Sequence, residues 1–422
     1  MPISHVLLAL IVALSILLML IRPRDIAEVY WVGGGALLLL ILRLIPLRLA
    51  GKAAAEGSDV YFFLVGMMLL SELAREHGVF DWLSSAALKR AHGSCAHLFT
   101  LVYGIGTLVT IFLSNDATAV VLTPAILVAI RKARVAPLPY LFACAMIANA
   151  ASFVLPISNP ANLVVFRLQM PPLGRWLLSF GLPSILSIAA THLVLRFVFR
   201  RELAANTGEA DAAGPLSTNG KIVLGGIACV VAVLLTASAL DRDLGLPTCL
   251  AAIAITVVVC IKARTSPWSL VKKISWGTIA LVAGLFILVD AVQSIGALKL
   301  TQMAFQAVQR LAPAPAALVT GFVVGIANNI FNNLPLGLLA GGALQAEHAT
   351  GLIANAVLIG VDLGPNLSIT GSLATILWLI ALRKENLRVS GCDFLKVGAI
   401  AMPVALLASI AGAILMHKLT SL

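Results

Sequence analysis

Asn328-Asn329-Ile330-Phe331-Asn332-Asn333-Leu334-Pro335 sits in the middle of an otherwise apolar stretch from about 315 to 345. Four side-chain amides and a proline disfavour an uninterrupted helix, because Asn competes with the backbone for hydrogen bonds and Pro removes an N–H. A second apolar region, about 97 to 130, is broken the same way at Leu113-Ser114-Asn115-Asp116. Each region is too polar at its centre for a plain membrane span and too apolar at its flanks for a surface loop. Each therefore reads as a re-entrant hairpin whose tip lies deep in the lipid.

The surroundings supply the lipid. Of 422 residues, 60% are hydrophobic and 11% charged, and the mean hydropathy is +1.03; soluble domains carry roughly 25% charged residues. Apolar blocks long enough to cross a bilayer fall at about 3–21, 29–47, 60–75, 138–168 and 177–199, then at about 221–240, 246–262, 276–296, 350–382 and 396–417. The fold class expected is all-α integral membrane, about ten transmembrane spans plus the two hairpins. The net charge of +11 resides in short connectors, which argues for membrane topology and against a nucleic-acid partner. Six scattered cysteines without CxxC spacing suggest neither a disulfide nor a metal site. The run before Arg22 and Arg24 has no Lys or Arg ahead of it, so it reads as a first span with its N-terminus outside.

The two halves repeat. Gly66, Glu72 and Gly78 fall on Gly284, Asp290 and Gly296 at one constant offset, which also carries Ser114-Asn115 onto Asn332-Asn333. Beyond the hairpins the offset shrinks, and Asn149-Ala150 is read against Asn355-Ala356. A unit of five spans, an odd number, must be inverted in its second copy. The expected organisation is a first inverted repeat, 1–201, with a hairpin at about 97–130 and a broken helix at about 138–168. A flexible cytoplasmic linker follows at 202–220. The second repeat, 221–422, has a hairpin at about 315–345 and a broken helix at about 350–382. Basic clusters such as Arg131/Lys132/Arg134 and Lys262/Arg264/Lys272/Lys273 then all face the cytoplasm.

Four polar clusters interrupt the apolar runs: Ser114 to Thr118, Ile157 to Asn162, Asn328 to Pro335 and Gly364 to Thr370. Intramembrane polarity costs free energy, about 2.5 to 3.5 kcal/mol for a charge at the bilayer centre, so it asks for a reason. Taken singly, any cluster fits helix packing, where Asn and Ser bond neighbouring helices. Placed in symmetric pairs, the four read better as unwound points meeting at the midplane, where half-helix N-termini and amide side chains face a polar solute. Candidate solute-binding residues are Ser114, Asn115, Thr118, Ser158, Asn159, Asn162, Asn332, Asn333, Asn366, Ser368 and Thr370. Asp116, at a hairpin tip with no Lys or Arg nearby in sequence, is the candidate proton carrier, and Asp362 a second titrating group. The competing account of Asp116 is an N-cap of the second hairpin arm. No catalytic residue and no cofactor is called for.

At these residues the chain resembles the ArsB-type arsenite/antimonite efflux transporters of the broader ion-transporter superfamily. The resemblance rests on Phe112-Leu113-Ser114-Asn115-Asp116-Ala117-Thr118-Ala119-Val120, Ile157-Ser158-Asn159-Pro160-Ala161-Asn162-Leu163, Asn332-Asn333-Leu334-Pro335 and Leu363-Gly364-Pro365-Asn366-Leu367-Ser368-Ile369-Thr370-Gly371-Ser372-Leu373-Ala374. It implies a bacterial or archaeal inner-membrane protein that expels arsenite and antimonite in exchange for protons, sometimes with a cytosolic arsenical-pump ATPase subunit, and by analogy with the superfamily as a homodimer. A sodium/proton antiporter on the same scaffold is the alternative expectation.

Overall fold

The computed structural model describes residues 3–420 apart from 167–169, 208–213, 241, 348 and 350, with side chains for all of these except 25, 297, 298 and 300. Among the described residues the one β feature is an isolated bridge between Ser94 and Asn206; the rest of the regular structure is helical. The ends of the expected broken helices at 167–168 and 350, and the centre of the expected linker, lie outside the described residues.

The first helices are α1 (Ile3–Ile21), α2 (Glu28–Ile41), α3 (Leu47–Glu56) and α4 (Ser58–Glu76). On α1 the buried residues Leu8, Ile11, Val12, Ser15 and Met19 form one helical stripe. Leu10, Leu14 and Leu17 lie exposed on another face, as lipid demands of a peripheral span. Gly78, at φ 72°, ends this series and opens α5 (Val79–Arg90). Then come α6 (Cys95–Phe112), α7 (Asn115–Ala117), a π-helical turn at Thr118–Leu122 and α8 (Thr123–Lys132). The next segments are α9 (Leu138–Ala150), a short 3-10 turn, α10 (Pro160–Val165) and α11 (Leu173–Val198).

The second series has the same order. It runs α12 (Thr218–Ala239), α13 (Gly245–Ala263), α14 (Pro267–Lys273) and α15 (Trp276–Ser294), after which Gly296, at φ 102°, opens α16 (Ala297–Gln309). It continues with α17 (Pro313–Phe331), α18 (Asn333–Ala346), α19 (Leu352–Leu363), two 3-10 turns, α20 (Leu373–Lys384) and α21 (Gly391–Thr420).

Eight described helices are long and apolar enough to cross a membrane, or nine if α3 and α4, bent by 47°, are taken as one span. Two of the eight, α6 and α17, are first arms of hairpins. The remaining crossings are assembled from shorter pieces: α9 with α10, α19 with α20, and the 14-residue α2.

Both hairpins turn back. The Thr110 and Thr118 hydroxyls share a hydrogen bond of 2.8 Å, far less than the roughly 12 Å that eight residues of continuous helix would span. The end of α8 returns to α5, the helix that precedes the hairpin. In the second, Asn332 adopts φ 70°, ψ 153° at the tip. The far end of α18 returns to α16, where the Gln306 amide donates to Glu347 at 3.3 Å.

Packing sorts the helices into two bodies. A frame forms by exchange between the halves: α4 packs on α13, and α2 and α3 on α15. A second bundle joins α11 to α21 across the halves, with α17 on α19 and α6 on α9 each within its own half. Helices α5 and α16 connect the two bodies. The segment expected to be a loose linker is docked over its first residues: Leu203 is buried, and the Thr207 amide donates to the Gly93 carbonyl at 2.7 Å. An apolar anchor and a backbone bridge hold what its polar composition suggested would be free.

One sequence alignment is corrected. Helix ends place Asn149, the residue before the last of α9, opposite Asp362, the residue before the last of α19, rather than pairing Asn149 with Asn355. The caps agree, since Asn159 caps α10 and Ser372 caps α20 at the same spacing beyond them. The apparent Asn–Asn match reflected composition, whereas the point of helix breakage fixes the true correspondence.

Candidate functional site

Pro156 and Pro160 bracket the first break, and Gly364, Pro365 and Gly371 lie in the second, so backbone groups in both lose their helical partners. Side chains satisfy many of them. Asn162, fully buried, donates its amide to the carbonyls of Ser152 (2.8 Å), Leu155 (3.2 Å) and Pro156 (3.3 Å). Ser158 donates to the Ile111 carbonyl of the first hairpin at 3.1 Å. In the second break Asn366 donates to the Met146 carbonyl at 3.0 Å and accepts from the Asn149 amide at 2.9 Å. Ser368 and Thr370 both bond Asn329, through its side-chain oxygen (2.6 Å) and its carbonyl (2.9 Å). Asn332 donates to the Thr370 carbonyl at 3.1 Å, tying the hairpin tip to the break.

Ser114 caps the turn after the first tip by accepting from the Ala117 amide at 3.2 Å. Asn115 accepts from the Asp116 amide at 2.9 Å. Thr118 closes the hairpin against Thr110. The cap account offered for Asp116 thus applies to Ser114 instead, and among the described residues the Asp116 carboxylate receives no hydrogen bond.

Four of the expected residues meet in one place. A cavity of about 20 Å³ is lined by Asn115 and Asp116 of the first tip, Asn159 and Pro160 of the first break, Asn333 and Leu334 of the second tip, and Leu373 and Ala374 of the second break. The frame closes it with Leu64 of α4 and with Thr278 and Val282 of α15. The Asn333 side-chain oxygen is buried with no hydrogen-bond partner among the described residues. Among the described residues, no Lys, Arg or His lines the cavity. Ser114, Thr118, Ser158, Asn162, Asn332, Asn366, Ser368 and Thr370 do not line it; they brace the tips and breaks that do. Asp362 also lies off the cavity, and its Oδ1 accepts the Asn159 amide at 2.8 Å.

Sequence reasoning missed Asn149, Asn329 and Thr278. Asn149, near the end of α9, lies ahead of the first break, and Asn329 falls within the second tip cluster but outside the residues singled out there; both are partners that the second break's side chains need. Thr278 opens a frame helix, where no break drew notice.

A larger cavity, about 840 Å³, lies beyond the first along the same three helices. Asp59 of α4, Phe166 after α10 and Leu344 of α18 line it, together with Arg175 and Arg242. At the wall of the larger cavity, which Gly341 and Val165 both line, α18 presses on α10: a Cβ added to Gly341 would lie 2.6 Å from the Val165 carbonyl oxygen.

Known proteins resemble this chain in sequence and in fold. The chain is 28% identical over 354 residues to the arsenical pump membrane protein of Yersinia enterocolitica, a match covering 80% of this chain and 81% of that one. It is 27% identical over 352 residues to the arsenical pump membrane protein of Escherichia coli K12, with the same coverage. In three dimensions it resembles the YdaH transporter of Alcanivorax borkumensis, with a TM-score of 0.59 at 15% identity over 90% of this chain and 89% of that one. The profile of the CitMHS family, described as citrate transporter, matches residues 2–364. By that match the chain, a multi-pass inner-membrane transporter, belongs to the CitMHS family.

Proposed function

We propose that the protein exports arsenite and antimonite from the cytoplasm in exchange for protons. The observation that carries this reading is the convergence of Asn115, Asp116, Asn159 and Asn333 on one cavity whose described lining holds a single carboxylate and no Lys, Arg or His. Arsenite near neutral pH is largely an uncharged trihydroxy acid, so amide and hydroxyl dipoles suit it, whereas a polycarboxylate calls for Arg or Lys. The names of the bacterial relatives point the same way. Asp116 serves as the proton carrier at the tip. As it stands the cavity holds about one water, so loading the solute requires the bundle to draw its tips off the frame, and the larger cavity provides the route out.

In this reading residues 1–201 and 221–422 act as two inverted copies around the site, joined by 202–220. A cytosolic arsenical-pump ATPase subunit and a second copy of the chain are the partners it allows for.

Everted membrane vesicles carrying the protein should accumulate arsenite when a proton gradient is imposed. Uptake no greater than in heat-killed vesicles removes the proposal. Sodium-dependent proton flux with no effect of arsenite favours a sodium/proton antiporter, and proton-driven citrate movement favours the substrate in the family's description.

A further inference from the structure

The two breaks contain the same cross-bundle contact, built once from neutral groups and once with an acid. In the first half Asn149, next to last in α9, accepts from the Ser372 hydroxyl that caps α20, at 3.4 Å. In the second half Asp362, next to last in α19, accepts from the Asn159 amide that caps α10, at 2.8 Å. Each capping residue thus reaches across to the broken helix of the other half. Position 362 is where the fold accepts an amide in its twin and carries a carboxylate instead.

Among the described residues, the elements packed near Asp362 bring no charge beside it to neutralise it. Of the elements packed near it, α9, α10, α17 and α18 contain no Asp, Glu, Lys, Arg or His. On α21 the charged residues and the histidine, Asp393, Lys396, His417 and Lys418, stand at the two ends. Two other titratable side chains lie on α9: Tyr140, which donates to the Cys95 carbonyl at 3.1 Å, and Cys144, which faces Thr123. Asp116 is the other carboxylate, and it lines the cavity with Asn159. The second oxygen of Asp362 is buried without a hydrogen-bond partner among the described residues. The Ser152 hydroxyl faces the carboxylate but donates to the Asn149 carbonyl at 2.7 Å.

We propose that Asp362 is a positioning residue that acts through Asn159, holding that amide at the cavity wall when ionised and loosening it when protonated. The proposal rests on the exchange reading above and names its second coupling group. Asn159 has its side-chain oxygen committed to the Ala161 amide at 3.0 Å and its NH₂ to Asp362, so the acid fixes how it faces the cavity. A proton from water adds to the free Oδ2 and leaves a neutral carboxyl; the charge-assisted bond to Asn159 becomes an ordinary one, roughly half as strong. Proton uptake and solute binding then oppose one another, and by linkage each weakens the other. That antagonism is the requirement for exchange.

The test uses the whole protein in proteoliposomes, with arsenite as the probe, and compares Asp362→Asn with the wild type. The wild type should accumulate arsenite with an imposed proton gradient, and its arsenite counterflow should vary with pH. In Asp362→Asn, gradient-driven accumulation should fall at least about tenfold, and the pH profile of counterflow should flatten while counterflow stays above empty liposomes. Wild-type accumulation and an unchanged profile in the variant overturn the proposal. If Asp362→Asn does not yield monodisperse protein, Asn159→Ser keeps a helix cap of the kind Ser372 provides and removes the amide from Asp362. Its pH profile should flatten too, and a wild-type profile again overturns the proposal. Should the wild type itself move no arsenite, the transport reading falls, and Asp362 is judged by the pH dependence of the unfolding temperature. Superimposable curves for wild type and Asp362→Asn then end the proposal.

Discussion

Asn162 illustrates how one side chain keeps a helix break closed to lipid. Its amide serves three carbonyls that the break has freed, and each would otherwise cost about 1 to 3 kcal/mol buried without a partner. Asn162→Ala is therefore expected to lower the stability of the detergent-solubilised protein by about 2 kcal/mol or more, read as a lower unfolding temperature. An unchanged midpoint would mean water already reaches those carbonyls. Asn162 also shows where residue types misled. Its Pro- and Asn-rich context marked the right place, but sequence cannot tell an amide that faces a solute from one that faces its own backbone. Asp116 is the opposite case, a lone acid in an apolar run that does line the cavity, and Asp116→Asn should reduce the pH dependence of arsenite transport, leaving the part set by Asp362; a wild-type profile would end its proposed role as proton carrier. The thiols behave differently: Cys144 is buried beside Thr123 and away from the cavity. Cys144→Ser should leave arsenite transport at the wild-type rate in everted vesicles, whereas loss of transport would mean arsenic is held by sulfur.

At the scale of elements, the tips and breaks were readable because they violate the apolar pattern, and helix termini were not, because caps such as Ser372 look like any other serine until the structure is known. The pairing of Asn149 with Asp362 was hidden for that reason. The contact of α18 with α10 was equally hidden, since a glycine in a membrane helix announces close packing without naming its partner. Gly341 faces the Val165 backbone with no room for a Cβ, and Gly337 meets the Val165 and Val164 side chains a turn earlier. Gly341→Val should force the two helices apart, at a cost of about 1 to 3 kcal/mol typical of overpacking, and lower the unfolding temperature. Because Gly341 and Val165 line the larger cavity, the proposed route out, transport should fall with it. Retained stability and transport would mean that the route out does not depend on this contact.

Across the whole molecule the division into two bodies puts the cavity on a boundary. The tips and breaks belong to the bundle, while Leu64, Thr278 and Val282 belong to the frame. The bodies are joined by α5 and α16, which begin at Gly78 and Gly296, both in the left-handed region that residues with a Cβ avoid. A rigid bundle sliding against a rigid frame would carry the tips away from Leu64 and Val282, opening the site to one face at a time. Cysteines placed at Val282 and Leu334, in a background lacking the native six, face the cavity from the two sides. Joining them with a short bifunctional thiol reagent should stop arsenite transport, and a cleavable reagent should restore it on reduction. Two cysteines placed within the bundle, at Leu334 and Leu373, control for distortion of the site, so a block confined to the frame–bundle pair assigns it to motion between the bodies. If the joined frame and bundle continue to turn over, the solute crosses without the bodies separating, and the gate lies within the bundle.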